Sequence, residues 1–404
     1  MQEERKVAEN KLMVLCANLR KRKDRRFVMS LTMPHVLGES LQFIDSIDGC
    51  LVPQWKMARY HVEANPADYA VRLTKRIAIR KFLQSQCKFL LYLEDDVVVT
   101  EDFEQEIETA MERDKEICFL GDEEQLPHTA KRYVHRTKPG HHAILMTREG
   151  AKKTLRLLGK WKHARSHDEL SRQVLEGTIK AWYADPPVAY QRLSVSDTSG
   201  RQRGVNLSED FPLLMGGDEV ALLDAAMNVC KTVVEYGSGA STLFLAEKLK
   251  DWGSLLSIEH DGLWFEKVGK VLEIGEYPVT RLLCEPKPLR SSDGPLRYLP
   301  GQLNHYVDAP HEQLALESVD LAFINGRERI RCALTMVPLM KTGALLMIHD
   351  FWSRKRYRDR LPDLLEHYDY FFETPGNGSN DPRGMAVFIR QANEGGKNEN
   401  ETIF

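Results

Sequence analysis

Three adjacent carboxylates, Glu94, Asp95 and Asp96, follow an apolar run in the segment FLLYLEDDVVV. These side chains repel one another, and their burial is costly unless positive charge lies between them. A divalent cation would supply that charge, because Mg²⁺ and Mn²⁺ take carboxylate oxygens and bridge acids to substrate phosphates. Glycosyl transfer from a nucleotide sugar needs this arrangement, since the cation carries the charge that develops on the departing diphosphate. The acids therefore predict a metal and nucleotide-sugar site, and a solvated strand end is the alternative interpretation.

A second candidate site begins at a glycine-rich turn between a strand and a helix, in the segment TVVEYGSGASTLFLAEKL. Gly237 and Gly239 remove side chains where the backbone must turn tightly and approach a ligand. Ser241 stands where a dinucleotide fingerprint has its third glycine, which weakens a pyrophosphate interpretation. Glu259 ends the next predicted strand, where an acid would accept the two ribose hydroxyls. The pattern predicts a nucleoside site, and an ordinary strand-to-helix turn is the alternative.

His349 and Asp350 end a third apolar strand, in the segment GALLMIHDF. Ligands of open α/β sheets bind at the carboxyl ends of the strands, and a base can take a proton there. Histidine does so near neutral pH, with help from a neighbouring carboxylate. Either His349 or Asp350 is therefore the candidate base for an acceptor hydroxyl, and a structural strand end is the alternative.

Strands alternate with helical patterns in both halves of the chain, which predicts two three-layer α/β domains with mostly parallel sheets. A stretch rich in Gly, Ser and charge separates the halves. We expect a first domain over 1–203, a linker over 204–217, a second domain over 218–392 and a disordered tail over 393–404. The last two strands of the second domain are expected to pair as an antiparallel hairpin.

Composition excludes several classes of protein. The chain has 404 residues and a net charge of −3, which disfavours nucleic-acid binding through bulk charge. No apolar run is long enough to span a bilayer, and the charged N-terminus lacks the apolar core of a signal peptide. The seven cysteines are scattered singly, as in reduced proteins. We expect a cytoplasmic protein with no membrane span.

The second half, from about 214 to 391, resembles the class I S-adenosylmethionine-dependent methyltransferases in its ordered strands and motifs. The resemblance implies a Rossmann-like, seven-stranded methyltransferase fold and S-adenosylmethionine as cofactor. It implies that Glu235, Gly237 and Gly239 line the methionine part, with Ser238 nearby.

The same resemblance assigns the rest of the nucleoside. Glu259 would hold the ribose, His260 would lie beside the adenine, and Glu285 near the adenine amine. Asn325 would lie under the substrate. Some members of the family hold magnesium with an Asp at that position and an acid after the fifth strand; here the acid is Asp350, and the Asn leaves open whether this half uses a metal.

The first half, from about 12 to 199, resembles the family-25 glycosyltransferases, which include lipopolysaccharide and collagen galactosyltransferases. The resemblance is carried by the segments ANLRKRKDRR, IDSIDG, LYLEDDV and HHAILMTREGAKKTL. It implies a nucleotide-sugar (type A) glycosyltransferase-like fold and a UDP-sugar donor. The segment NPADYAVRLTKRIAIRKF departs from the family pattern, and Arg72 and Lys75 are expected to replace its contacts.

The family assigns roles to this half as well. Glu94 and Asp96 would bind Mn²⁺ or Mg²⁺ and the diphosphate, while Asp95 would face the sugar or ribose. Asp168 would be the base that activates the acceptor hydroxyl, with His167 or Glu169 as local substitutes. Asn18, Leu19 and Arg25 would border the nucleotide, and Asp48 with Gly49 would close the base and ribose side.

Together these resemblances predict a bifunctional glycan-modifying enzyme. One half would transfer a sugar to a glycan or glycoconjugate acceptor, and the other would O-methylate a sugar hydroxyl. Two alternatives remain: a methyltransferase with a non-catalytic glycan-recognition domain, and a nucleic-acid base modifier. The slightly acidic composition disfavours the second alternative.

Overall fold

The computed structural model divides the chain into two compact units, unit 1 over 1–203 and unit 2 over 204–404. The structure describes residues 12–33, 37, 40–52, 66–125, 139–159, 170, 173–174, 176–191, 214–275, 277, 279–286, 301–376 and 383–392. None of the helices in these ranges is long and apolar enough to cross a membrane. The tail predicted over 393–404 lies outside the described residues.

Unit 1 is built on an eight-stranded mixed sheet in the order β2-β1-β3-β6-β5-β8-β4, with β7 paired to β5. Strands β6 and β4 run antiparallel to their neighbours, and the other six strands share one direction. The strands are β1 (Leu12–Asn18), β2 (Leu41–Asp45), β3 (Phe89–Glu94), β4 (Val97–Val99), β5 (Ile117–Gln125), β6 (Pro139–Thr147), β7 (Ala181–Tyr183) and β8 (Ala189–Gln191). The helices are α1 (Lys23–Thr32), α2 (Pro66–Gln84), α3 (Phe103–Glu112) and α4 (Arg148–Gly159).

Helices cover both faces of this sheet. Alternate strand residues point to opposite faces, so each face buries its own apolar cluster. One cluster joins the strands to α1 and α3 through Met29, Phe103 and Ile107. The other joins them to α2 and α4, with Phe82 among its fully buried members. Unit 1 is therefore a three-layer α/β domain.

The basic run RKRKDRR is predicted as a loop, but its second half forms the first turn of α1. Asp24 lies in that turn, where a negative charge favours the amino end of a helix. Arg22 pairs with it at 2.8 Å, and both side chains are buried. The helix thus begins at Lys23, four residues before its first apolar residue, Phe27.

Unit 2 is built on a seven-stranded sheet in the order β11-β10-β9-β12-β13-β15-β14. Five strands are parallel, and β15 runs antiparallel to both neighbours, so the predicted hairpin forms. The strands are β9 (Thr232–Tyr236), β10 (Ser254–Glu259), β11 (Val279–Leu283), β12 (Val319–Ile324), β13 (Met340–Ile348), β14 (Tyr368–Pro375) and β15 (Arg383–Arg390). The helices are α5 (Gly217–Ala226), α6 (Ala240–Leu249), α7 (Gly262–Ile274), α8 (Asn304–Asp308), α9 (Arg329–Met336), α10 (Lys355–Arg358) and α11 (Leu361–Leu365).

The order of the parallel strands reverses at β9, which lies between β10 and β12. In open α/β sheets the ligand crevice forms outside the carboxyl ends of the strands at such a switch point. The turn after β9, the acid that ends β10 and the residues after β12 and β13 all lie at this edge. The fold therefore gathers the predicted nucleoside residues at one edge of the sheet.

Candidate functional site

A cavity of about 410 Å³ opens in unit 1 where β1, β2 and β3 end. Three parallel strands deliver their carboxyl ends to the same edge, so residues distant in sequence meet there. The lining includes six of the predicted site residues, namely Leu19, Arg25, Asp48, Glu94, Asp95 and Asp96. The cavity also meets α2 through Ala67, Ala70 and Thr74.

The acidic triplet does not interrupt a strand. Glu94 is the last residue of β3, and Asp95 and Asp96 form the turn into β4. Arg25 lies between the two turn acids, with Nη1 2.9 Å from Asp95 and 3.8 Å from Asp96. Asn18 donates to the other oxygen of Asp95 at 2.7 Å. Burial raises the pKa of Asp95, and the charge of Arg25 opposes that rise.

Glu94 is balanced by a different cation. The Nζ of Lys75, a buried residue of α2, lies 3.9 Å from Glu94 Oε1 and 4.8 Å from the centre of the Tyr92 ring. Burial raises the pKa of Glu94 to about 7 and lowers the pKa of Lys75. Arg25 and Lys75 therefore supply much of the positive charge for which the sequence predicted a metal ion.

Two carboxylate oxygens in the triplet still have capacity for a ligand. Oε1 of Glu94 and Oδ1 of Asp96 are buried and have no hydrogen-bond partner among the described residues. The second oxygen of Asp96 accepts a hydrogen bond from Gln191 at 3.0 Å. Within the described ranges, no group of three or more His, Cys, Asp or Glu side chains is arranged to hold a metal ion. Oε1 of Glu94 is also the atom that faces Lys75 at 3.9 Å, so its charge is already partly balanced.

Asp48 closes the cavity on the side of β2. Its side chain accepts the backbone N–H of Cys50 at 2.9 Å and lies 2.8 Å from Lys21 Nζ, which lowers the pKa of Asp48. A side chain at Gly49 would lie 2.7 Å from the Cα of Ala67. The Asp-Gly pair thus lets the turn pack directly against the start of α2.

Arg72 and Lys75 were both expected to replace contacts of the family pattern, but the structure places them at different sites. Arg72 donates to the backbone carbonyls of Leu157 and Leu158 at 3.1 and 3.0 Å, so it caps the carboxyl end of α4 and does not line the 410 Å³ cavity. Lys75 does reach an acid of the triplet. Asp168, the predicted base, lies outside the described residues, as do His167 and Glu169.

In unit 2 the glycine turn follows β9 directly. Gly237 has a φ of +94°, and a Cβ there would lie 2.6 Å from the Cα of Gly326. The two backbones therefore touch at the ends of β9 and β12. Trp264 of α7 covers the next part of the turn, because its indole N–H donates to the carbonyl of Ser238 and it lies 3.7 Å from a Cβ built on Gly239.

Glu235 lies beneath this turn and is fully buried. The hydroxyls of Ser241, Thr242 and Ser257 donate to its carboxylate at 2.5, 2.5 and 2.7 Å. Burial raises the pKa of Glu235 to about 7, against the opposing effect of these hydroxyls. Thr242 also accepts the N–H of Gly239 at 2.7 Å, so Glu235 holds the turn in shape through this hydroxyl.

Glu259 ties the end of β10 to the same turn. One carboxylate oxygen accepts the backbone N–H of Ser238 at 2.8 Å. The other accepts the N–H groups of His260 and Asp261 at 2.7 and 2.9 Å. The ring of His260 packs edge-to-face against Tyr306 with centroids 5.6 Å apart. The end of β10 is thus ordered by a buried carboxylate beside the glycine turn.

Glu285 follows β11 and is exposed, with Oε1 2.7 Å from a Cβ built on Gly262 at the start of α7. Asn325 follows β12, and its Oδ1 lies 2.9 Å from His349 Nδ1 at the end of β13. The ends of β10, β11, β12 and β13 therefore carry Glu259, Glu285, Asn325 and His349, respectively.

The two candidate bases differ in exposure. His349 is 6% exposed, whereas the Asp350 side chain is 43% exposed and its backbone has a φ of +50°. Asp350 Oδ2 lies 3.7 Å from His349 Nδ1 and 3.9 Å from Arg329. This backbone region is uncommon for a residue other than glycine, although Asp adopts it more readily than most.

Arg329 braces this corner of the site. Its guanidinium donates to the carbonyls of Asn325 and Gly326 at 2.9 and 3.0 Å and to the carbonyl of His349. It is 5% exposed, and burial lowers its pKa. One planar group thus joins the ends of β12 and β13.

Sequence reasoning missed two residues of this site. Glu219 of α5 is buried, and its Oε2 lies 3.5 Å from His349 Nε2. Tyr306 of α8 is fully buried and packs against both His260 and Tyr236. The sequence signal for Glu219 is an acid in the first turn of a helix that starts within a Gly-Gly pair, but an acid there is equally typical of a helix amino end without a functional role.

Comparison with known proteins gives similar solved structures only. No protein-family model matches the chain, and no curated protein sequence is similar to it. A methyltransferase-like protein from Silicibacter pomeroyi is 19% identical over 45% of this chain and 90% of that chain, with a TM-score of 0.35. An S-adenosylmethionine-dependent O-methyltransferase from Thermotoga maritima is 11% identical over 46% and 69%, with a TM-score of 0.32.

A third similar structure, cofactor-bound Rv0187 from MTB, is 16% identical over 46% of this chain and 85% of that chain, with a TM-score of 0.34. At these TM-scores and identities the likeness carries no functional inference. The function of unit 2 is therefore inferred from its own strand order and strand-end residues.

Proposed function

We propose that unit 2 is an S-adenosylmethionine-dependent O-methyltransferase. The observation that carries this proposal is the meeting of the Gly237 turn, Glu259 and the Asn325–His349 pair at one edge of the seven-stranded sheet. That edge contains the topological switch point, where open α/β sheets bind nucleosides.

Each group at this edge has a role that its chemistry supports. The turn at Gly237 and Gly239 would hold the methionine part, Glu259 the ribose, and His260 and Glu285 the adenine. S-adenosylmethionine, when bound, supplies an electrophilic methyl group. The chain orients the acceptor hydroxyl and removes its proton, for which His349 or Asp350 is the base.

Calorimetric binding of S-adenosylmethionine and S-adenosylhomocysteine to the full chain tests this proposal. Glu259→Gln is expected to weaken binding at least about 10-fold, since a ribose-bound carboxylate is lost. Asp320→Asn is the matched control, because Asp320 lies near the amino end of β12 and binds the N–H groups of Lys231 and Thr232 at the opposite edge. Equal affinities for both variants, or no binding by the wild type, would contradict the proposal.

We also propose that unit 1 transfers a sugar from a nucleotide diphosphate. The observation in favour is the 410 Å³ cavity, which is lined by the acidic triplet, Arg25 and the turn at Asp48. Glu94 and Asp96 would hold Mn²⁺ or Mg²⁺ through their two oxygens that lack hydrogen bonds. The cation would neutralise the leaving diphosphate, and Asp168 remains the predicted base for the acceptor.

Hydrolysis of UDP-sugars in the presence of Mn²⁺ tests the activity of unit 1. Asp96→Asn is expected to lower the rate at least about 100-fold, because half of the carboxylate pair is removed. Glu116→Gln is the control, because Glu116 lies just before β5, at the end of the sheet opposite to the cavity. There it pairs with Lys153 at 2.7 Å. Wild-type levels of hydrolysis in Asp96→Asn would exclude the proposed site.

The two activities fit one glycan acceptor, to which unit 1 would add a sugar and unit 2 a methyl group. A shared chain raises the effective concentration of the intermediate for the second step. We expect glycosylated acceptors to be methylated faster than simple alcohols. Equal methylation of unrelated small molecules would contradict the coupling.

A further inference from the structure

The contact between Glu219 and His349 joins two elements that are far apart in sequence. His349 Nδ1 lies 2.9 Å from Asn325 Oδ1, while Nε2 on the other side of the ring lies 3.5 Å from Glu219 Oε2. We propose that Glu219 is a positioning residue for methyl transfer: it holds the Nε2–H tautomer of His349, so that Nδ1 accepts the acceptor's proton. This inference rests on the methyltransferase activity proposed for unit 2.

Glu219 is itself fixed by its surroundings. Its Oε2 accepts the N–H of Gly216 at 2.8 Å, and its Oε1 accepts the N–H of Met385 at 3.0 Å. Thr374 lies 3.4 Å from Oε1. The carboxylate therefore bridges the start of α5, the β14–β15 hairpin and the end of β13, and it cannot turn away from His349 without breaking backbone contacts.

A carboxylate at this position decides which ring nitrogen carries the proton. The tautomer of a neutral histidine follows the partner of each nitrogen, and an acceptor-only carboxylate selects N–H on its own side. The 3.5 Å separation is at the long end for a hydrogen bond, so the selection is mainly electrostatic. Nδ1 then presents its lone pair towards Asn325. When the Asn325 amide is turned from the placement in which Oδ1 faces the ring, its NH₂ donates to Nδ1 until an acceptor hydroxyl takes that place.

The other charged groups around His349 act on the Nδ1 side. Asp350 Oδ2 lies 3.7 Å from Nδ1, and Arg329 and Arg354 lie 3.9 and 3.7 Å from that carboxylate. Arg329 also donates to the backbone carbonyl of His349. These cations offset the charge of Asp350, which leaves Glu219 as the carboxylate that acts on Nε2.

The proton balance of the step follows from this geometry. The acceptor O–H bond breaks and its proton goes to Nδ1, which becomes part of an imidazolium that Glu219 stabilises. The oxygen takes the methyl group as the carbon–sulfur bond breaks, and the bonding pair stays on sulfur. The ring later returns the proton to solvent through the same nitrogen.

Nitrogen-15 NMR of the full chain tests the tautomer without turnover. Spectra of histidine-labelled protein, with the His349 signals assigned through His349→Gln, are recorded at roughly pH 9, where ordinary histidines are neutral. We expect the wild type to show Nε2–H. In Glu219→Gln the amide oxygen is expected to keep the two donors Met385 N–H and Thr374 hydroxyl, which turns the NH₂ towards Nε2 at the loss of the Gly216 bond and switches the ring to Nδ1–H.

Thr374→Val is the matched control, since Thr374 touches the same carboxylate on the oxygen that faces away from His349. It is expected to keep the Nε2–H signature. An Nδ1–H signature in the wild type overturns the proposal, and so does the same tautomer in Glu219→Gln and wild type. If Glu219→Gln does not fold, the wild-type spectrum still decides.

Kinetics separate this inference from the proposed function. Glu219→Gln is expected to lower kcat by about 10- to 100-fold with the KM for S-adenosylmethionine unchanged. If Glu219→Gln switches the tautomer but the wild type transfers no methyl group to any acceptor, the Glu219–His349 contact is supported and the proposed methyltransferase activity is refuted. Full kcat in Glu219→Gln, together with active wild type, would refute the positioning role alone.

Discussion

Buried carboxylates recur at the strand ends of both units, and each has a defined set of partners. Asp95 has Arg25 and Asn18, Glu259 has three backbone N–H groups, and Glu235 has three hydroxyls. Burial is the largest effect at Glu235 and raises its pKa to about 7, although the three hydroxyls oppose the rise.

This raised pKa gives a pH dependence of stability that can be measured. The ordinary pKa is 4.5, so between that value and about 7 the folded chain binds a proton that the unfolded chain has lost. Stability therefore falls as pH rises through this range, by on the order of 3 kcal/mol. Glu235→Gln is expected to lose this contribution, so that the free energy of unfolding of unit 2 falls less over this pH range than in the wild type, as measured by urea unfolding at several pH values.

Glu366→Gln is the control for that measurement, because Glu366 is an exposed acid of the same unit. Its pH profile is expected to match the wild type. A Glu235→Gln profile that keeps the full decrease would show that another group is responsible.

Residue types at strand ends could be read from the sequence, but their partners could not. Glu94, Asp95 and Asp96 were predicted as a cluster that needs positive charge, and the structure brings Arg25 and Lys75 to them. Glu219 reaches His349 from a helix that precedes the sheet. Such pairings depend on how helices pack over the sheet, which no local pattern encodes.

At the level of elements, the glycine turn after β9 is held by backbone contact with the segment after β12. Gly237→Ala is expected to destabilise unit 2 by about 2–5 kcal/mol, because left-handed strain adds to a clash with Gly326. Gly343→Ala is the control: its φ is +81°, but nothing lies within 4 Å of its Cβ, so only about 1–2 kcal/mol is expected.

Chemical denaturation of the two glycine variants measures this difference. Equal losses of unfolding free energy in the two variants would mean that the close backbone contact between Gly237 and Gly326 does not occur. Strand identities and the hairpin followed from apolar patterns, whereas this backbone contact did not, because glycine leaves no pattern that identifies its neighbour.

Arg329 holds the ends of β12 and β13 together from α9. Arg329→Lys is expected to cost about 2–4 kcal/mol, because an ammonium cannot reach three carbonyls in the planar geometry of a guanidinium. Arg331→Lys on the same helix, with a side chain 39% exposed, is expected to change stability by less than about 0.5 kcal/mol. Thermal unfolding of both variants compares them, and matched melting temperatures would contradict the bracing role.

For the whole molecule, the sequence predicted two α/β units, and the structure divides into two compact units over 1–203 and 204–404. Each unit collects its polar residues at the carboxyl ends of parallel strands, although the two sheets differ in strand order. The identity of the acceptor substrate cannot be predicted from these strand-end residues, because loops and helices outside the core strands shape the acceptor part of a site.

The central claim is that the β9, β10 and β12 ends of unit 2 form a nucleoside site. Hydrogen–deuterium exchange of the full chain, with and without S-adenosylhomocysteine, tests it most directly. We predict slower exchange at the amides of residues 237–239, 259–261 and 325–326, with residues 318–320 at the opposite edge unchanged. Unchanged exchange in all three segments at saturating ligand, or protection confined to other segments, would contradict the account.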